Sequence, residues 1–142
     1  MGVLAVGAVL AWAGALTVVD IRHRRLPNVL TLTGAAVILA AAASAGRGLP
    51  ALLGAVTLSG LYLLVHLANP AGLGGGDVKL ALGTGALTAA LGPDVWVLAA
   101  LGAPLLTAVA GIVSAVCRRG RTVPHGPSMC AATLLAAALV VR

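Results

Sequence analysis

Six stretches dominated by apolar residues, at approximately 2–21, 28–46, 49–68, 77–92, 94–116 and 126–141, alternate with short clusters of Gly, Pro and Arg. A helix needs about 20 apolar residues to cross a hydrocarbon core roughly 30 Å thick, and each stretch comes near that length. None carries the polar stripe that a helix on the surface of a soluble bundle must present to water. The pattern predicts an all-α integral membrane protein of about six transmembrane helices, with residues 1–142 forming a single domain. The fourth stretch is short and rich in small residues (GTGALTAALG), which predicts a helix packed among the others rather than facing lipid.

Composition sharpens this picture. Of the 142 residues 61% are hydrophobic and 8% charged, too few polar groups to cover a soluble domain. The first stretch differs from a signal peptide because its positive charge follows the apolar run, at Arg22, Arg24 and Arg25, instead of preceding it. The expectation is a retained helix. A net charge of +6 raises the question of nucleic acid, but the cations sit in brief clusters between apolar spans. There they act as topology signals and contacts to anionic lipid headgroups, and no nucleic-acid partner is expected.

The loops set an orientation. RHRRLPN between helices 1 and 2 holds three Arg, RRGRTVPHGP between helices 5 and 6 holds three more, and Lys79 lies just past the loop between helices 3 and 4. The other side has only Arg47 and Arg142. Seven cations against two predict that the first set is cytoplasmic and both termini are outside. Asp20 then ends helix 1, and Asp77 opens helix 4, at the same cytoplasmic face, while Asp94 falls on the outer side.

An acid at a membrane span costs about 2.5–3.5 kcal/mol on insertion scales and needs a partner or a task. Asp20 could pair with Arg22 or Arg24, although a negative charge at a helix C-terminus opposes the helix dipole. Asp77 could be an ordinary N-cap after a glycine-rich turn. Gly72-Leu73-Gly74-Gly75-Gly76 nevertheless has more glycine than a cap requires, and glycine lets a second backbone come close to the acid. Two carboxylates brought together share a proton, so that one can accept a proton from water while the other donates to a peptide carbonyl.

The run Gly74-Gly75-Gly76-Asp77-Val78-Lys79-Leu80 resembles the GxGDxKL motif of the type IV prepilin peptidases, a family of GxGD aspartyl proteases with presenilin-like architecture. Asp20, followed seven residues later by Pro27-Asn28, is similar to the family's first motif, and Pro124-His125-Gly126-Pro127 to a third, which usually has an aromatic or apolar residue at the His125 position. The three occur in family order across nearly the full chain. The resemblance implies that Asp20 and Asp77 are catalytic, that Pro27, Asn28, Gly74, Gly76, Lys79, Pro124, Gly126 and Pro127 lie near substrate, and that no cofactor is used. It implies prepilins or pseudopilins as substrates: pilin-like proteins with a short basic leader ending in Gly before a hydrophobic helix, cut at the cytoplasmic face of the bacterial inner membrane. Larger relatives have an N-terminal segment with paired cysteines associated with N-methylation. Helix 1 here starts almost at Met1 and no Cys-x-x-Cys occurs, so the resemblance supports peptidase activity only.

Other side chains have simpler roles available. Lys79 can snorkel to headgroups or tune the acids, His125 can fit an interfacial turn or touch substrate, and Asn28 can cap helix 2. His66 is expected to find an interfacial or interhelical hydrogen bond, His23 to be solvated, and Cys117 and Cys130 to be small buried or interfacial residues. No His, Cys and acid constellation has metal-ligand spacing. Two other function classes suit membrane acids: a small proton-coupled transporter, and a non-catalytic subunit of a pilus or secretion apparatus.

Overall fold

The computed structural model describes residues 3–117 and 124–140. They form six helices, α1 (Val3–His23), α2 (Asn28–Ser44), α3 (Gly48–Ala68), α4 (Gly75–Leu91), α5 (Pro93–Val116) and α6 (His125–Val140), with no strand among the described residues. The helices alternate in direction. The C-terminal ends of α1, α3 and α5 therefore share one end of the bundle with the N-terminal ends of α2, α4 and α6. By length and composition, Leu4–His23, Gly48–Ala68 and Pro93–Val116 are each long and apolar enough to cross a membrane. Helices α2 and α4, with 17 residues each, and α6, with 16, sit at or just under the lower limit of about 17 for a span.

Much of the bulk faces outward. Large side chains such as Leu53, Leu64, Leu101, Leu105, Val109 and Ile112 are exposed, whereas Ala supplies most of the buried apolar positions, beside larger residues such as Leu16, Leu58 and Leu80. That arrangement suits lipid as the surrounding solvent and marks the chain as a membrane protein. Helix α4 is the centre, packed on α2, α3, α5 and α6, with every residue from Gly83 to Thr88 buried, as its small-residue sequence predicts. Its hydroxyls are satisfied within the helix: Thr84 donates to the Leu80 carbonyl at 3.2 Å and Thr88 to the Thr84 carbonyl at 2.7 Å. At the far end Arg47 donates to the Ala90 carbonyl at 3.0 Å, placing a cation at the C-terminus of α4.

Gly54 of α3 and Gly85 of α4 face each other backbone to backbone. A Cβ on Gly85 would come within 3.0 Å of both the Gly54 carbonyl carbon and Leu58 Cβ, so the two helices approach only because both positions lack side chains. Gly85→Leu is expected to destabilise the fold by roughly 1–3 kcal/mol, the usual range for overpacking. Thermal or denaturant unfolding in detergent would check this, and a variant as stable as the parent would contradict so tight a contact.

Helix ends differ from the sequence expectation in informative ways. Helix α1 runs on to His23, so Asp20 lies inside its last turn; Arg22 and His23 suit the negative end of the helix dipole and prolong it. Arg24 stops it with a positive φ of 50°, its N–H donating to the Asp20 carbonyl at 2.8 Å. Helix α4 begins at Gly75, two residues before the expected start. Arg118, Arg119, Arg121 and Arg142, which entered the charge count, lie outside the described residues.

Candidate active site

Asp20 and Asp77 are both buried, at 7% and 8% exposure, at the shared end of the bundle, near enough for the charge of Asp20 to act on Asp77. Asp94 is exposed in the first turn of α5, at the opposite end. Both acids thus lie at one end of the bundle, although they are 57 positions apart in the chain.

Three contacts frame the end of the bundle that holds the acids. Leu26, buried in the α1–α2 connection, lies on Gly76, where an added Cβ would be 3.1 Å from Leu26 Cβ. Lys79 Nζ donates to Asn28 Oδ1 at 2.7 Å, tying the first turn of α2 to α4. Gly126 at the start of α6 donates its backbone N–H to Asp20, and an added Cβ there would be 2.5 Å from Asp20 Oδ2.

Asp77 is not the N-cap. Gly74 takes that position, and Asp77, three residues on, accepts the Gly74 N–H on Oδ2 at 3.3 Å. An acid in the first turn also meets the positive end of the helix dipole. Each carboxylate thus accepts a backbone N–H, which helps fix its orientation, and the Arg24 charge acts on Asp20 as well. The preceding loop is itself braced: Asn69 Oδ1 accepts the Gly72 N–H at 3.1 Å, and His66 Nδ1–H donates to the Leu73 carbonyl at 2.6 Å. His66 therefore bonds to the glycine-rich loop. Gly74 is exposed beside the acid, and Gly75 is half-buried with only the His66 ring near it, at 3.8 Å from a would-be Cβ.

Asn28 does not cap α2 through its side chain. Pro27 occupies the N-cap position in extended geometry, and the Asn28 amide is engaged by Lys79 instead. Lys79→Ala is therefore expected to cost about 1 kcal/mol of stability, the ordinary worth of such a hydrogen bond, and to slow any reaction by less than about tenfold. Complete loss of activity in a folded Lys79→Ala protein would instead place the ammonium on the reacting atoms.

Pro124 and Pro127 are half-buried and flank His125 and Gly126 at the start of α6. Three side chains that no motif singled out join the site. Tyr62 lies close enough to feel the Asp77 charge, and its hydroxyl meets His125 Nε2 at 2.9 Å. Thr107 meets His125 Nδ1 at 2.6 Å. Cys130, buried, bonds to the Thr17 side chain beside Asp20. Cys117 is exposed, as is His23. Among the described residues no three His, Cys, Asp or Glu side chains are grouped as metal ligands.

An apolar groove of about 360 Å³ runs between α3 and α5, lined by Leu58, Leu61, Val65, Trp96, Val97 and Leu101 among others, and reaches Tyr62, Leu73 and His125. A second cavity of about 380 Å³, between α1, α4 and α6, is lined by Val6, Leu10 and Leu91. Ten residues of helix, about 15 Å, separate its Leu10 from Asp20.

A family model described as the type IV leader peptidase family matches residues 7–117, a span that includes both acids and the glycine-rich loop. Comparison with curated proteins gave no match, and comparison with solved structures gave none.

Proposed function

The chain belongs to the type IV leader peptidase family, and from that premise we propose that it is an aspartic endopeptidase in which Asp20 and Asp77 activate water. The observation that carries this reading is the placement of two buried carboxylates, from α1 and α4, at one end of the bundle, near enough for the charge of Asp20 to act on Asp77. With one proton between them, the ionised acid takes a proton from water as its oxygen attacks the scissile carbonyl, and the protonated acid donates to the carbonyl oxygen. Collapse of the tetrahedral intermediate then breaks the C–N bond as the amine gains a proton. No covalent enzyme intermediate is needed. The rate should rise and then fall with pH, because doubly protonated and doubly ionised pairs are both inactive.

The substrates on this reading are prepilin or pseudopilin proteins of the bacterial inner membrane, cut between a short basic leader ending in Gly and a hydrophobic helix. The two acids face the cytoplasm, and both termini lie outside. Support comes from the charges: Arg22, Arg24, Arg25 and Lys79 all sit at the end of the bundle that holds the acids, with Arg47 at the other. The α3–α5 groove supplies an apolar surface leading to Tyr62 and His125, which suits a bond next to a hydrophobic helix. Peptidase activity alone is proposed, without methyl transfer.

Co-expression with pilin-like proteins of the same genome, followed by mass spectrometry of their N-termini, tests this. A new N-terminus immediately after the leader glycine is expected. Leaders left intact on every candidate would overturn the reading.

A further inference from the structure

His125 begins α6 half-buried, and both ring nitrogens are engaged. The direction of the chain can be worked out from its far end. Thr107 has one hydroxyl proton, and its oxygen lies 3.0 Å from the Ala103 carbonyl, which can only accept. With that proton committed, Thr107 accepts from His125, so the imidazole proton sits on Nδ1. Nε2 is then bare and accepts the Tyr62 O–H. The donations run one way, from Tyr62 to His125 to Thr107 to Ala103, and connect α3, α6 and α5.

The Tyr62 and His125 members of this chain lie beside the acids. Gly126, the residue after His125, donates its N–H to Asp20, and Tyr62 lies within the field of Asp77. The Tyr62 and His125 rings are 5.4 Å apart between centroids and tilted by 41°, so the two pack against one another. Hydrogen bonds to α3 and α5 anchor His125, and with it the start of α6, where Gly126 lies against Asp20.

We propose that His125, held by Thr107 and Tyr62 in its Nδ1-protonated form, is a positioning residue that sets the Gly126 amide on Asp20 and so the geometry of the acid pair. This rests on the peptidase reading. A Phe at 125 would fill similar space but leave the Tyr62 hydroxyl and the Thr107 oxygen without their partner. An Asn would keep a donor near the Nδ1 position.

Cleavage of a membrane-inserted pilin with a basic leader, followed by mass spectrometry, gives kcat and KM for each variant. His125→Phe is expected to lower kcat about tenfold with KM within about twofold, as expected for loss of a buried hydrogen bond worth about 1.4 kcal/mol. His125→Asn should recover much of the loss. Thr107→Val should resemble His125→Phe, and the double variant should be no worse than either, because both cut one chain. Spectra of the parent labelled with ¹⁵N-histidine should show the proton of one neutral ring on Nδ1, and that signal should change in Thr107→Val.

Unimpaired cleavage by His125→Phe would overturn the proposal, as would losses that multiply in the double variant or a proton found on Nε2. A fall in folded protein and a rise in KM that account for the whole effect would reduce His125 to a structural residue. A parent that leaves the pilin uncut sinks the peptidase reading and this proposal with it. A parent that cuts while His125→Phe cuts equally well sinks this proposal alone.

Discussion

Asp20→Asn and Asp77→Asn should each leave the protein inserted and abolish leader cleavage, with a fall in rate of about two to four orders of magnitude. The reason is chemical. An amide is nearly isosteric with a carboxyl and can still accept the Gly126 or Gly74 N–H through its oxygen, so the local fold survives. It can neither take a proton from water nor return one to a carbonyl. Replacing a buried ionisable acid by a neutral amide also lowers the cost of burying the site, so the variants should fold at least as well as the parent. Protein level by immunoblot and pilin N-termini by mass spectrometry give the two readings separately. A non-catalytic assembly subunit would tolerate both substitutions, and normal trimming by either folded variant would contradict the proposed mechanism.

Gly126→Ala comes next in expected effect. Its Cβ would stand 2.5 Å from Asp20 Oδ2 and 3.1 Å from Cγ, closer than a real Cβ contact to the oxygen. Asp20 must swing away, and in doing so it gives up the Gly126 amide. A displacement of about 1 Å of a reacting group can cost about a hundredfold in rate, which is the loss expected here in kcat. Gly60→Ala is the control, since nothing lies within 4 Å of a Cβ at that position. Activity within a few-fold of the parent in Gly126→Ala would mean that Asp20 has room the structure does not show.

The sequence made much of this legible because membrane constraints are severe. Long apolar runs in a membrane form helices, and loop charge orients them, so the sequence alone puts Asp20 and Asp77 at one end. Small residues in α4 likewise announced its central place. The local chemistry of the helix ends was harder to read. Gly74 rather than Asp77 caps α4, because the cap is set by where the chain turns, and Asp three residues on serves as well. Asn28 looked like a cap, but Lys79, 51 positions away, claims its side chain. Tyr62 and Thr107 carry no motif. The chain's single tyrosine, on a largely apolar helix, is the available signal, yet its partner His125 is 63 positions distant. Contacts of that kind depend on helix rotation, which periodicity alone leaves open when no polar stripe exists.

The central claim is that side chains 20 and 77 adjoin at one end of the bundle. A protein with Cys117→Ala and Cys130→Ala, carrying Asp20→Cys with Asp77→Cys, can be treated in native membranes with a short bifunctional thiol reagent. The account predicts an intramolecular link between positions 20 and 77, and none in a partner variant carrying Asp20→Cys with Asp94→Cys. A link from 20 to 94, or labelling of 20 and 77 from opposite sides of the membrane, would contradict it.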